Sequence, residues 1–217
     1  MVFDLDGTLL DSVPDIALAT NQTLQALRKA PLSEAQIRDF VGNGADVLLA
    51  RALSGSMCVS PQLDHRLHKE ARRLFDIYYA QTGHQSSQLY PGVIATLDAL
   101  KAMPMPMVIL TNKPSQFVPG VLEQHKIAEY FCKVLGGDAF AAKKPDPMAL
   151  NWLQAKYQLQ PQQILMVGDS KHDIQAAKNS GCMSFGLTYG YNHGEPISDS
   201  EPDYVADDLT QLLHIFS

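Results

Sequence analysis

Six short apolar runs recur along this chain at wide spacing, and none alternates with polar residues. They are MVF at the start, PMVILTN from Pro106, CKVLGG from Cys132, ILMVGD from Ile164, CMSFGLT from Cys182 and DYVADD from Asp203. A strand with one wet face would alternate. A run that does not is buried on both faces, as strands of a parallel sheet are. Parallel neighbours need long crossovers, usually helical, and helical patterns fill the gaps. PGVIATLDALKAM from Pro91 opens with proline in its expected first turn. DIQAAKNSG from Asp173 stops on Gly181, a residue suited to a helix end. Strands alternating with helices predict an open α/β sheet.

The stretch 14–87 breaks this rhythm and contains no strand pattern. Ile16, Thr20, Leu24 and Leu27 lie at helical spacing, and Ser33 with Gln36 forms a capping box. Leu63, Leu67, Ala71, Leu74 and Tyr78 predict an apolar stripe on a helix opened by Ser60 and Pro61. The expected division is therefore an α/β domain of 1–13 and 88–217, interrupted after its first strand by a helical block of 14–87. Only Met1, Val2 and Phe3 precede Asp4, which is short for a buried strand. A few further apolar residues upstream are expected.

Composition excludes several classes of function. Hydrophobic residues make up 46% and charged residues 18%, enough for a sizeable core. The net charge is -6, and no Lys/Arg run exceeds two residues, so no nucleic-acid partner is expected. No apolar run is long enough for a membrane span, and the start lacks a signal-peptide pattern. The three cysteines include no C-x-x-C pair, which argues against a disulfide framework or zinc site and for the cytoplasm. An acidic protein that binds an anion needs a local basic site or a metal.

The chemistry gathers where the apolar runs end. Asp4 and Asp6 in DLDGT stand at i and i+2, so an extended backbone points both carboxylates the same way. Like charges that close repel unless a cation lies between them. Thr111-Asn112 ends the second long run, and Gly168-Asp169 the fourth, with Asp173 shortly after. Lys144 sits before a proline in AKKPDP. Ligands of open α/β sheets bind at the carboxyl edge of the strands, where all of these residues fall. Mg²⁺ takes hard oxygen ligands and would relieve the repulsion, with Asp4, Asp169 and Asp6 as candidate ligands, the last through its side chain or backbone carbonyl. Lys144 and Thr111 would complete a cradle for a phosphoryl group. One carboxylate could attack phosphorus while the other serves as general acid and then base. Each feature alone has a plainer reading: a turn at DLDG, a strand-end hydroxyl at Thr111, a solvated lysine at Lys144 and a helix cap at Asp169.

In order, DLDGT, the strand-ending Thr111, Lys144 before Pro145 and GDSKHD resemble the four motifs of the haloacid dehalogenase superfamily. The resemblance spans nearly the whole chain. It implies a Rossmann-like parallel-sheet core with an α-helical cap inserted after the first strand, matching the block 14–87. It assigns Asp4 as nucleophile and Asp6 as general acid/base, Thr111 as phosphoryl donor and Lys144 as charge clamp. Asp4, Asp6 and Asp169 become the metal set, with Asp173 in support. The Leu5 backbone N–H and Asn112 join the phosphate-binding group. The strings FVGNGADVLLARAL, TNKP, GGDAFAAKKPDP and LTYGYNHGEPI narrow the resemblance to phosphatases of a small phosphorylated acid.

In GNG, Gly42 is expected to end one helix and Asn43 to cap the next, so that Asn43, Gly44 and the helix N-terminus from about Ala45 offer donors to a substrate carboxylate. The TYGYNHGEP stretch is expected as a surface loop, His172 and His193 as solvated or packing residues, and Lys143 as a solvated lysine. The expected activity is Mg²⁺-dependent hydrolysis of a small phosphomonoester through an aspartyl-phosphate, by a monomer or small homo-oligomer. A sugar phosphomutase of the same superfamily and a non-catalytic phosphate-binding module remain as alternatives.

Overall fold

The computed structural model describes residues 1–216. The chain runs through β1 (Val2–Phe3), β2 (Leu10–Asp11), α1 (Val13–Ala26), α2 (Glu34–Phe40), α3 (Ala45–Ser54), α4 (His65–Gln81) and β3 (Gln88–Leu89). It continues through α5 (Val93–Lys101), β4 (Val108–Leu110), α6 (Val118–Gln124), β5 (Lys133–Leu135) and α7 (Met148–Tyr157). It ends with β6 (Leu165–Gly168), α8 (Lys171–Ser180), β7 (Met183–Leu187) and β8 (Tyr204–Ala206), followed by a 3₁₀ stretch. No helix among the described residues is long and apolar enough to cross a membrane.

Each of the six apolar runs supplies one strand of a six-stranded parallel sheet in the order β5-β4-β1-β6-β7-β8. Every residue of β1, β4 and β6 is buried, which is why these runs do not alternate. The two faces separate by parity. Phe3, Ile109 and Val167 enter one apolar cluster; Val2, Val108 and Met166 enter the other.

β1 is short but central. Val2 pairs with Val108 and Met166, and Phe3 with Ile109 and Val167. The ladder extends past both ends, with the Met1 ammonium donating to Pro106 O at 2.8 Å and Asp4 N to Val167 O at 2.9 Å. Asp4 is therefore anchored on both sides despite the three residues before it. The chain leaves β1 for β4 on one side and returns to β6 on the other, so β1 ends at the switch point of the sheet, where a binding crevice forms.

Helices α1–α4 fill 13–81 and share their own apolar cluster, including Leu24, Ile37, Leu49, Phe75 and Tyr79. The chain passes to and from them through the antiparallel pair β2–β3, with Leu10 opposite Leu89 and Asp11 opposite Gln88. Strands of two residues carry no periodicity, and the sequence gives no sign of this ribbon.

Three local expectations change. The α4 stripe is Ala71, Phe75 and Tyr79, with Leu74 and Tyr78 only half-buried, because Phe75 and Tyr79 stack at 5.4 Å and turn that face inward. Its cap is Asp64, which accepts from Arg66 N at 2.7 Å, not the earlier Ser60-Pro61. Pro91 stays outside α5, whose N-cap is Gly92.

Candidate active site

Asp4 emerges from the end of β1 with 9% of its surface exposed, and the Leu5 N–H donates to its Oδ1 at 2.7 Å. A tight turn follows, in which the N–H groups of Leu9 and Leu10 both reach Leu5 O, at 3.0 and 3.1 Å. Gly7 makes this turn with φ +88°, and a Cβ there would sit 2.2 Å from Asp169 Oδ2. Only glycine satisfies both conditions. The DLDGT glycine thus lets the first loop lie against the end of β6.

Lys144 Nζ lies 3.0 Å from Asp4 Oδ1 and 2.6 Å from Asp173 Oδ1, and donates to Leu110 O at 2.7 Å. Asp169 accepts from the Thr8 hydroxyl at 2.6 Å and from Tyr191 N at 2.6 Å. Asp173 also accepts from Ser170 N and Oγ, both at 3.1 Å, at the start of α8. Oxygens of Asp4, Asp169 and Asp173, all buried, lie within 4.8 Å of one another.

Three negative charges meet one ammonium, and protonation responds. Burial pushes Asp4 up to about 6; Lys144 opposes this, while Asp173 and Asp6 add to it. Burial and the neighbouring Asp173 and Asp4 hold Asp169 well above the usual carboxylate range. Burial alone would lower Lys144, but Asp173 and Asp4 overcome it and keep the ammonium charged. A cluster with surplus negative charge and hard oxygen donors suits a divalent cation such as Mg²⁺.

The converging carboxylates differ from the expected set at one position. Asp173, expected as support, belongs to the group. The Asp6 carboxylate turns instead to Lys113, whose Nζ sits 2.9 and 3.1 Å from its two oxygens. The Asp6 carboxylate is thereby paired with an ammonium and stands apart from the Asp4, Asp169 and Asp173 cluster. Lys113 also donates to Tyr79 Oη on α4 at 2.7 Å. Burial would lower this lysine, but Asp6 and Tyr79 together raise it. Sequence reasoning did not single out Lys113, although it stands two residues past Thr111 and shares its parity. Thr111 itself is buried at the end of β4, where its Oγ1 accepts from Lys113 N at 3.2 Å.

The remaining expected residues divide. Asn112 spends its side chain as a brace, donating to Gly42 O and Lys144 O at 3.0 Å each and accepting from Lys144 N at 3.1 Å. Its amide is thus committed to backbone groups rather than free for phosphate. Gly44, not Asn43, is the N-cap of α3, with φ +86°. The Asn43 amide instead meets His172 Nε2 at 2.8 Å. His172 is half-buried, and burial lowers it to about 4. His193 Nδ1 meets Asp39 O at 2.7 Å. The 188–196 stretch is exposed at Thr188 and from Gly194 to Pro196, as a surface loop is, but its middle turns in beside the entry to the helical block: Tyr191 is buried, and its hydroxyl bonds Asp11 and accepts from Ser12 N at 2.9 Å.

Asp4, Asp6, Thr111 and Lys113 open onto a small cavity of about 50 Å³, whose other wall is Gly44, Ala45, Leu48, Phe75 and Tyr79 of the helical block.

Known proteins with this arrangement agree. Residues 1–187 match the model of the haloacid dehalogenase-like hydrolases. The phosphoglycolate phosphatase of Vibrio vulnificus is 61% identical over 99% of this chain and 94% of its own length. That of Vibrio cholerae is 61% identical over 99% of this chain and 95% of its own. A crystal structure described as a predicted phosphoglycolate phosphatase from Haemophilus somnus superposes with a TM-score of 0.92 at 40% identity, covering 100% of this chain and 96% of that one. With its carboxylates and lysine gathered at the carboxyl edge of the sheet, this chain belongs to the haloacid dehalogenase-like hydrolases.

Proposed function

We propose that this chain hydrolyses 2-phosphoglycolate to glycolate and phosphate, with Mg²⁺ as cofactor and Asp4 as nucleophile. The observation that carries the chemistry is the placement of Asp4 beside Lys144, with Thr111 and Asp6 on the same cavity. The substrate comes from the relatives named above, and the small cavity between sheet and helices supports it.

In this reading an Asp4 oxygen attacks phosphorus in line, and the bond from phosphorus to the glycolate oxygen breaks. Asp6 delivers a proton to that oxygen. Asp6 then takes a proton from water, whose oxygen attacks the aspartyl-phosphate and releases phosphate from Asp4. Lys144, the Thr111 hydroxyl and the Leu5 N–H face the charge on the transferred group, the main task in phosphoryl transfer. Asp4, Asp169 and Asp173 would hold Mg²⁺ by their side chains, with the Asp6 carbonyl as a further ligand; the ion supplies positive charge to the transferring oxygens. Residues 14–87 act as a cap over the core of 1–13 and 88–217 and exclude bulk water from the reaction. The α3 N-terminus at Gly44 offers N–H groups to the substrate's carboxylate. All three cysteines are free thiols, which fits a cytoplasmic enzyme, working as a monomer or small homo-oligomer.

The test is phosphate release from 2-phosphoglycolate, with Mg²⁺ and with chelator, beside a panel of sugar phosphates and nucleotides. Metal-dependent preference for phosphoglycolate is expected. Equal turnover across the panel would refute the substrate, and an isomerised sugar phosphate with no free phosphate would make the protein a mutase.

A further inference from the structure

We infer that Lys113 recognises the second anionic group of the substrate, the carboxylate next to the scissile ester, and so sets specificity for phosphorylated acids. The inference rests on the phosphoglycolate reading above. Lys144, held against Asp4 and Asp173, is committed to the transferred phosphoryl group. For the second anion, on the leaving side, the α3 N–H groups offer only partial charges, so a full positive charge has to come from a side chain. Among the residues lining the cavity, Lys113 alone carries a positive charge.

Distance agrees with this. In a two-carbon acid the carboxylate is joined to the ester oxygen through a single carbon. A group that recognises it must therefore lie beside the group that protonates that oxygen. Lys113 Nζ lies 2.9 Å from Asp6 Oδ1. An ammonium has three donors. They meet the two Asp6 oxygens, at 2.9 and 3.1 Å, and Tyr79 Oη at 2.7 Å. A carboxylate entering the cavity would share the N–H that makes the longer Asp6 contact. The lysine side chain is only 4% exposed, so its charge acts in a poorly screened site.

Position is fixed from both sides of the cavity. Tyr79 is 1% exposed and stacked on Phe75, and Lys113 Nζ lies 4.7 Å from the centre of its ring. Tyr79 thus acts as a positioning residue, carried on α4, for a lysine carried by the sheet. A nearby rival is Lys143, whose Nζ would lie 3.0 Å from a Cβ added at Gly44, although it does not line the cavity.

The experiment compares kcat and KM for 2-phosphoglycolate and for ethyl phosphate, which has the same chain length but no carboxylate. The proteins are wild type, Lys113→Met, Tyr79→Phe and Lys143→Met, each checked for folding by circular dichroism. Wild type should prefer phosphoglycolate. Losing one partner of a desolvated charge pair predicts that Lys113→Met loses about 30-fold or more in kcat/KM on phosphoglycolate, mainly through KM. Its loss on ethyl phosphate should be several times smaller, so the preference collapses. Tyr79→Phe should show the same selectivity more weakly, about fivefold, the size of one hydrogen bond. It keeps the inference testable if Lys113→Met does not fold.

Equal losses on both substrates in Lys113→Met and Tyr79→Phe would mean that Lys113 serves only Asp6, and would overturn the inference. Collapse of the preference in Lys143→Met but not in Lys113→Met would overturn it in favour of Lys143. A wild type without preference would instead overturn the phosphoglycolate reading itself, and this inference with it.

Discussion

Replacing Lys144 with methionine isolates the electrostatics of the acidic cluster, because methionine keeps most of the volume and loses the charge. The lysine side chain is 2% exposed and lies 3.0 Å from Asp4 and 2.6 Å from Asp173. Breaking a buried pair by removing one partner costs about 3–5 kcal/mol, because the charges left behind are uncompensated. Of this, about 1 kcal/mol is the lost hydrogen bond to Leu110 O and does not depend on pH. The rest does. Burial already raises Asp4 to about 6 with Lys144 present, and without the ammonium it rises further. An acid whose folded pKa lies above its unfolded value is favourable to folding below the unfolded pKa. That advantage disappears as pH rises through the folded value. Thermal unfolding in chelator should therefore show the full penalty at pH 7.5, a drop in Tm of roughly 6–20 °C for a chain of this size. At pH 5, where Asp4 holds its proton, the penalty should fall well below half of that. Mg²⁺ at pH 7.5 should restore part of the loss, since a cation among the three carboxylates replaces the missing charge. A penalty equal at both pH values and indifferent to Mg²⁺ would refute the electrostatic account and leave only packing.

Asp4→Asn should abolish phosphate release while leaving the chelator-treated protein at least as stable as wild type in a thermal scan, because it removes one of three crowded carboxylates. Gly7→Ala should cost about 2 kcal/mol or more and weaken Mg²⁺ binding measured by calorimetry, since φ +88° is strained for alanine and its Cβ would strike Asp169. His172 is lowered to about 4 by burial, so its folded form is neutral where the unfolded form takes a proton. Its contribution to stability should fall as pH drops from about 6.5 toward 4, opposite in sign to that of Asp4. His172→Gln, which cannot charge, should lose less over the same range, as read by the shift in urea midpoint.

The parts of the molecule that could be read from sequence are those fixed by local pattern and by parity. Continuous apolar runs mark β4 and β6 because both faces of these strands are buried, and Asp4, Thr111, Lys144 and Asp169 follow because they end such runs or sit beside a proline. What stayed hidden depended on contacts distant in sequence. Lys113 gained its place only through Asp6 and Tyr79, although its parity with Thr111 was available as a sign. The β2–β3 ribbon is too short for any periodicity. In GNG the expected cap is Asn43, and Gly44 takes its place because α8 brings His172 to the asparagine. On α4, Leu74 and Phe75 both fit a helical stripe, and aromatic stacking chose the second.

The position of the helical block in the chain explains how selection and chemistry meet. It leaves the sheet just after β1, the strand of the proposed nucleophile Asp4, and rejoins it through β3, so its two connections form one narrow ribbon next to Asp4 and Asp6. Beyond the ribbon, it touches the core through a few polar bonds: Asn43 with His172, Asp39 with His193, Gly42 with Asn112, Arg38 and Asp11 beside Tyr191, and Tyr79 with Lys113. The rings of Phe117 and Tyr191 add an apolar seam. Each such hydrogen bond is worth about 1 kcal/mol net. Burying one large apolar side chain contributes about 1.5–3 kcal/mol, and each body buries many. The seam is therefore weak compared with either core. The phosphoryl-handling groups all belong to the sheet, while Gly44, Ala45, Leu48, Phe75 and Tyr79 belong to the helices. Changing the helical wall can alter what fits in the cavity without disturbing Asp4, Lys144 or Asp169. Lys113 is the exception, a sheet residue held by a helical one, and on the reading proposed above it is where the identity of the substrate would reach Asp6.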